Sequence, residues 1–584
     1  MFQDTYFVDK RTGTFADTFL AYGLATLLDS VLAQCVDEDH WVRLRDRGAC
    51  YAVELSHGVR EEWIGRVTFQ GLAPYIKAAR AEPQLLAGLP ASMVVDYQRE
   101  WERFLQSSRM PQDERHKLLP EELARLESHP HFPVFAWVGE RRMQALASYS
   151  KLILLWHSVA THFGEHLRHI LMLCAAPEQD VEAVAALWRA RMRQLGVKVD
   201  SDRNLIQLLN PSQGKGLNEP KANRLKMDNI KSWWPIEYLK VVGMYHCAVP
   251  RVVKIGGKPS GDYKTYAIAP INMRLSTNDA VLTAFQRALW NETAVKMDVL
   301  AGLQYTRCFL DYCQAAREGD LATQLLGHGP QDFVAGMHVA YYKSLGQASA
   351  VMNLSFIELP RWMRVTSPDE VEIWRNLLAE HESIIRNIEE EKGGYELLIT
   401  YRDFLSGGRW DAFFDFTAAY ARYLMHELGR EHYWIKPFTV HNLERLIMKS
   451  NEPLAPILET PGFRNIADAI RRSTVIPQYL GRDKSEYDIR YGLGQELKRK
   501  SLYNDEFVAA LSEFVQSYNA ENARVFEKTG KQYRKNVLTS DVEDVVRLVD
   551  KYGAATVGNL LLAFGYAREH TEEASGGQRM GNEV

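Results

Sequence analysis

The sequence predicts an α+β protein. Short apolar pieces rich in β-formers, broken by Gly and Pro, cluster in the first half. From Ser276 the apolar residues fall at helical spacing, and three separate apolar stripes close the chain.

The first element is a helix from Thr14 to Leu32. Leu20, Leu24, Leu27, Leu28, Val31 and Leu32 lie near helical spacing, and Thr14 is placed as its N-cap. Strands are expected at Cys50 to Leu55 and Trp63 to Gln70, followed by helix-rich, Pro-punctuated sequence to about Gly196. Between 201 and 275 the texture changes: Arg251 to Ile255 and Tyr263 to Ile268 read as strands, with a hairpin around Gly256 to Gly261. Val281, Leu282, Phe285 and Leu289 then share a helix face. Near the end, Phe463/Ile466/Ala467/Ile470, Phe507/Leu511/Phe514/Val515/Tyr518 and Val542/Val545/Val546/Val549/Tyr552 predict a small bundle, its last helix capped by Ser540 with Glu543. The expected divisions are an α+β region 1–275, a helical middle 276–440, a bundle 441–570 and a polar tail 571–584.

With 584 residues, 46% hydrophobic and 25% charged, the chain has the balance of a multi-domain globular protein. Six cysteines without a C-x-x-C pair argue against a disulfide framework or zinc ribbon and for reduced thiols. No apolar run is read as approaching the ~18 residues of a membrane span. A soluble, cytoplasmic protein is expected.

The net charge of -4 conceals a local reversal. Between Asn210 and Lys264 stand ten basic residues (Lys215, Lys221, Arg224, Lys226, Lys231, Lys240, Arg251, Lys254, Lys258, Lys264) against Glu219, Asp228, Glu237 and Asp262. Such clustering is the electrostatic footprint of a phosphate partner, and the glycines within it allow close backbone approach. The competing reading is a solvated surface. Neither Gly-Lys pair is a P-loop: the first lacks G-x-x-x-x-G-K-[ST], and Gly257-Lys258 is followed by Pro259. A second basic set, Arg524, Lys528, Lys531, Arg534 and Lys535, would mostly share a side of one continuous helix, with Arg471 and Arg472 earlier in the bundle.

One catalytic motif appears. His162-Phe163-Gly164-Glu165-His166 is an H-x-x-E-H string, which on a helix could hold zinc with Glu165 as general base of a hydrolase. No further acidic ligand stands out, and no other catalytic pattern is found, so the chain reads as a non-enzyme with no cofactor. A scaffold protein without a nucleic-acid role is the other alternative.

The segments FADTFLAYGLATLLDSVL (15–32), NPSQGKGLNEPKANRLK (210–226), PGFRNIADAIRRSTV (461–475) and VLTSDVEDVVRLVDKYGAATVGNLLLAFGYARE (537–569) resemble the large subunit of type I CRISPR Cascade surveillance complexes, of A or B type. The resemblance implies antiviral defence as part of a multisubunit complex with backbone, handle-binding and small subunits. It implies contact with guide RNA and with target double-stranded and single-stranded DNA, reading of the protospacer-adjacent motif, and recruitment of a helicase-nuclease. Carried onto this chain, Lys215, Asn218, Lys221, Arg224 and Lys226 would contact the guide handle or duplex backbone. Lys254, Gly256, Gly257 and Lys258 would enter a minor groove. Arg471, Arg472, Lys528, Lys531, Arg534 and Lys535 would track single-stranded DNA. Met448 is placed for an internal start whose product, 448–584, would enclose the bundle.

Overall fold

The computed structural model describes residues 1–77, 89–109, 128–197, 202–213, 231–315, 327–480 and 486–569. It is α+β, with most strands in the N-terminal half and helices dominating the C-terminal half. The chain forms two compact units, each discontinuous: Met1–Ala294 with Pro330–Leu359, and Val295–Gly329 with Pro360–Val584. These units do not follow the expected divisions at 275 and 441.

The first unit is built on two helices and two sheets. Helix α1 (Phe15–Cys35) starts as expected: the Thr14 hydroxyl accepts from Ala16 N at 3.3 Å, and Asp17 accepts from the Thr12 and Gly13 amides. Against the expectation that no apolar run approaches a membrane span, this helix is long and apolar enough to cross one; here most of it is buried as a core helix. Strands β1 (Thr5–Asp9), β2 (Val42–Asp46) and β3 (Cys50–Leu55) join β10 (Asn272–Arg274) in an antiparallel sheet ordered β1-β3-β2-β10. The second sheet, also antiparallel, is ordered β12-β11-β9-β8, from β8 (Ala248–Ile255), β9 (Lys258–Pro270), β11 (Val334–Ser344) and β12 (Ser349–Glu358). Two short ladders complete the strands: β4 (Tyr75–Lys77) with β5 (Val94–Asp96), and β6 (Asp202–Asn204) with β7 (Lys231–Trp233).

The remaining helices of this unit among the described residues are α2 (Tyr97–Arg109), α3 (Phe132–Gly139), α4 (Leu146–Ser158), α5 (Phe163–Leu173), α6 (Val181–Gln194), α7 (Trp234–Cys247) and α8 (Leu275–Ala288). Helices α1 and α7 cross with their backbones in contact. A Cβ on Gly23 would overlap the Leu239 carbonyl oxygen, and one on Gly243 would overlap the carbonyl oxygen of Phe19. Only glycine at both positions permits this approach. Helix α1 also packs on β1, β2, β3 and β9.

Two expectations fail in this unit. Trp63 to Gln70 contains no strand; a single 3₁₀ turn at Glu61–Trp63 leads into a non-regular stretch that buries Trp63, Ile64 and Val67. The apolar residues there reflect packing of a loop, not a pleated surface. The β11–β12 hairpin lies inside the stretch read as helical, since its sequence mixes Ala, Ser and Gly with few β-branched residues.

The second unit is helical: α9 (Ala294–Ala315), α10 (Pro368–Arg386), α11 (Tyr395–Gly407), α12 (Trp410–Gly429), α13 (Val440–Ser450), α14 (Ala455–Glu459), α15 (Pro461–Ser473), α16 (Val475–Leu480), α17 (Leu493–Lys500), α18 (Asn504–Thr529), α19 (Thr539–Tyr552) and α20 (Ala554–Gly565). Phe463, Ile466, Ala467 and Ile470 are buried on α15, as their spacing requires. Helix α20 buries Ala554, Val557, Leu560, Leu561, Leu562 and Phe564, leaving Ala555 exposed. It is packed by α12, α15, α17, α18 and α19. Helix α19 begins at Thr539, one residue before the expected Ser540 cap. The reaching-back carboxylate is Asp541, which accepts from Leu538 N at 2.8 Å; Glu543 is exposed.

The contact between α12 and α20 decides the fate of an internal-start product. A 448–584 fragment cuts α13 mid-helix, removes Leu443, Leu446 and Ile447 from the core, and uncovers the α12-facing side of α20. It also loses the bridge between Thr439 and Arg568. Expressed alone, this fragment is expected to lack a cooperative thermal transition and to aggregate, whereas 360–584 keeps α12 and α13. A sharp melt of 448–584 by circular dichroism contradicts this.

Candidate nucleic-acid interface

In the first unit, α4, α6 and the β6–β7 ladder surround a cleft of about 670 Å³. Its apolar surface comes from Leu152, Val197 and Ile206. Among the described residues five cations line it: Lys151 from α4, Arg189 and Arg193 from α6, Arg203 from β6 and Lys231 from β7. Arg189 and Arg193 are four residues apart, so one helix face carries both. Asn204 pairs directly with Lys231 across the ladder, which fixes the two strand walls together. Asp202 is the single acid among the described lining residues. Arg189 has an ion pair with Glu182 of its own helix at 3.9 Å; Lys151, Arg193 and Lys231 are exposed and have no ion pair among the described residues. Like charges converging in a concave, partly apolar setting focus a positive potential that favours a polyanion.

Of these residues the sequence reading had singled out only Lys231, as one of the ten basic residues. Lys151, Arg189, Arg193 and Arg203 were missed because they come from three separate elements. The one local signal was the pair of arginines at helical spacing in Trp188-Arg189-Ala190-Arg191-Met192-Arg193.

The structure disperses part of the 210–264 charge. Lys215, Asn218, Lys221, Arg224 and Lys226 lie outside the described residues. Lys240, Arg251 and Lys264 are buried. Arg251 donates to the Leu289 and Pro250 carbonyls, each at 2.8 Å, and to that of Gln286; burial lowers its pKa to about 10. Lys264 donates to Ala294 O. These three hold the fold together and are not presented to a partner.

The hairpin is where it was expected. Gly256 and Gly257, at φ 59° and 73°, form its two-residue connection between β8 and β9, a left-handed pair that glycine adopts without strain. Lys258 is exposed, and Lys254 lies 3.6 Å from Glu292. The glycines and Lys258 thus stand together at an exposed tip, while the charge of Lys254 is partly balanced.

In the second unit the expected strand-tracking row is broken up. Helix α18 stops at Thr529 because Gly530 takes a left-handed C-cap, so Lys531, Arg534 and Lys535 do not continue its face. Arg534 turns inward: it is 6% exposed, its guanidinium lies 3.4 Å from the Tyr487 ring centroid, and it pairs with Glu521 at 3.5 Å. Arg471 is 4% exposed, bound to Glu569 at 2.7 Å and donating to Phe564 O. Arg472 pairs with Asp468 and Lys528 with Glu486, each at 2.7 Å. Lys531 and Lys535 remain exposed. Buried guanidiniums with carboxylate partners are structural, so Arg471 and Arg534 are withdrawn as backbone contacts; spacing alone could not reveal their burial.

The H-x-x-E-H string is not gathered for metal. His162 ends a 3₁₀ turn and α5 begins at Phe163, so His162 and His166 do not share a regular helix. His166 is fully buried, stacked on Trp234 at 5.2 Å, and accepts from Trp188 Nε1 at 2.9 Å through Nδ1. Burial pushes its pKa down to about 3. Glu165 pairs with Arg191 at 3.1 Å. Among the described residues no group of three or more His, Cys, Asp or Glu side chains is placed to hold a metal ion.

No family model matches this chain, and no curated protein matches it.

Proposed function

We propose that the chain is a non-catalytic, nucleic-acid-contacting subunit of an RNA-guided DNA surveillance complex, and that the cleft between α4, α6 and the β6–β7 ladder takes the phosphate backbone of one of its strands. The observation that carries this reading is the convergence of Lys151, Arg189, Arg193, Arg203 and Lys231 against Asp202, the single acid among the described lining residues, in a chain whose net charge is -4. No aromatic side chain is among the described lining residues, so the cleft offers no platform for stacking bases. It suits phosphates, and sequence would be read by pairing to the guide.

The complex itself, with guide RNA, a protospacer-adjacent motif, backbone subunits and a helicase-nuclease as partners, is proposed on the resemblance at 15–32, 210–226, 461–475 and 537–569. The Gly256-Gly257-Lys258 tip supports it as an exposed, narrow, basic element of the kind that enters a groove.

The test is binding of the full chain to single-stranded RNA, single-stranded DNA and duplex DNA over a salt series. Arg193→Glu combined with Lys231→Glu is expected to weaken binding about tenfold or more. It should also lower the slope of log K against log[salt] by about 2, with the melting curve unchanged. Wild-type protein that binds none of the three, or binds with no salt dependence, ends the proposal. Co-expression with guide RNA and neighbouring subunits should then yield a complex that retains the chain.

A further inference from the structure

The two strands that form one wall of the cleft are only three residues each, too short to hold their own register. A buried polar cluster lies just beyond both. Asn210 follows the end of β6 by six residues and Glu237 lies in the first turn of α7, immediately after β7. Asn210 Nδ2 donates to Glu237 Oε2 at 2.9 Å and to the carbonyl of Ile206, a cleft-lining residue, at 3.0 Å. Lys240 Nζ donates to Asn210 Oδ1 at 2.6 Å and to Glu237 Oε1 at 2.7 Å. Asn210 is 1% exposed and Glu237 is fully buried. The neighbouring Tyr342 hydroxyl donates to Leu208 O at 3.2 Å.

Burying an ion pair is costly, and an apolar trio of similar size would stabilise a core as well or better. What the apolar trio could not do is tie one particular backbone carbonyl to one particular helix turn. A fully satisfied network has that directionality. Because Asn210 bonds at once to the β6 side, through Ile206, and to the first turn of the helix that β7 enters, it fixes the spacing of the two strand ends.

We propose that Asn210, Glu237 and Lys240 are positioning residues for the cleft: they hold β6 and β7 in register, which keeps Lys231 beside Asn204 on the cleft wall. The consequence for binding rests on the reading of the cleft as a phosphate site; the consequence for the ladder does not.

The experiment uses the full chain carrying Asn210→Leu, which leaves the Lys240–Glu237 pair in place. Amide hydrogen exchange should accelerate across β6 and β7, while amides of α1 stay protected. Affinity for a single-stranded oligonucleotide should fall about tenfold and the salt slope by about 1, although no cleft cation has been changed. Unchanged exchange across β6–β7 in the folded variant overturns the inference, whatever the binding. Faster exchange with affinity and slope as in wild type also overturns it. If wild-type protein binds no oligonucleotide, the phosphate reading fails while the exchange result still judges the ladder. Should Asn210→Leu not fold, Asn210→Ala removes the same amide with a smaller side chain, and is judged by the same two readouts.

Discussion

Gly243→Ala is expected to destabilise the first unit by about 2–3 kcal/mol, despite alanine's better helix propensity. The propensity gain is about 1 kcal/mol. Against it, the added methyl would occupy the position of the Phe19 carbonyl oxygen, so α1 and α7 must move apart. Both helices are buried along most of their length, and separation loosens contacts from β9 to α4. Gly23→Ala meets the Leu239 carbonyl across the same crossing and should cost a similar amount. The double variant is expected to cost clearly less than the sum, because the first methyl has already opened the space the second needs. A denaturant midpoint for Gly243→Ala at or above that of wild type would falsify the backbone-contact account.

Acidification should destabilise both units well before most carboxylates titrate. His166 in the first and His381 in the second are buried, and each has its pKa pushed from 6.5 to about 3 by loss of hydration. Each ring is held neutral by its surroundings: His166 among Trp156, Trp188 and Trp234, His381 beside the Tyr401 hydroxyl at 2.6 Å and against Phe438. Between pH 6.5 and 3 the unfolded chain binds a proton at each of these sites and the folded chain does not. Their contribution is therefore complete above pH 6.5 and declines as pH falls. The decline is about 1.4 kcal/mol per pH unit for each histidine once well below 6.5. Midpoints measured at pH 7.5, 6.5, 5.5 and 4.5 should drop steadily. His166→Phe should flatten the slope of the first unit. A midpoint constant from pH 7.5 to 5 rules the explanation out.

Features set by neighbours in sequence were legible. Thr14 caps α1, Cys50 to Leu55 is β3, and two adjacent glycines turn the β8–β9 hairpin, because a cap, an alternation and a left-handed pair each need only a few consecutive residues. The β11–β12 hairpin was not, since its strand character comes from pairing with β9, far earlier in the chain. The interface was legible as charge and illegible as geometry. Lys231 was in view, but Lys151, Arg189, Arg193 and Arg203 become neighbours only in the folded unit. Conversely, Arg471 and Arg534 carry the same charge as their exposed neighbours and are removed from use by burial, which depends on where Gly530 ends α18 and on the placement of Glu521 and Glu569.

Because β11 and β12 complete a sheet begun by β8 and β9, while α9, made between them, belongs with helices that follow residue 360, neither unit can finish folding in order of synthesis. As the ribosome advances, β9 waits with an open edge until residue 344 has emerged, and α9 waits with an unburied apolar face for partners not yet made. A nascent chain halted anywhere from 295 to 340 is therefore a client for chaperones, and splitting the gene near its midpoint should yield two insoluble halves.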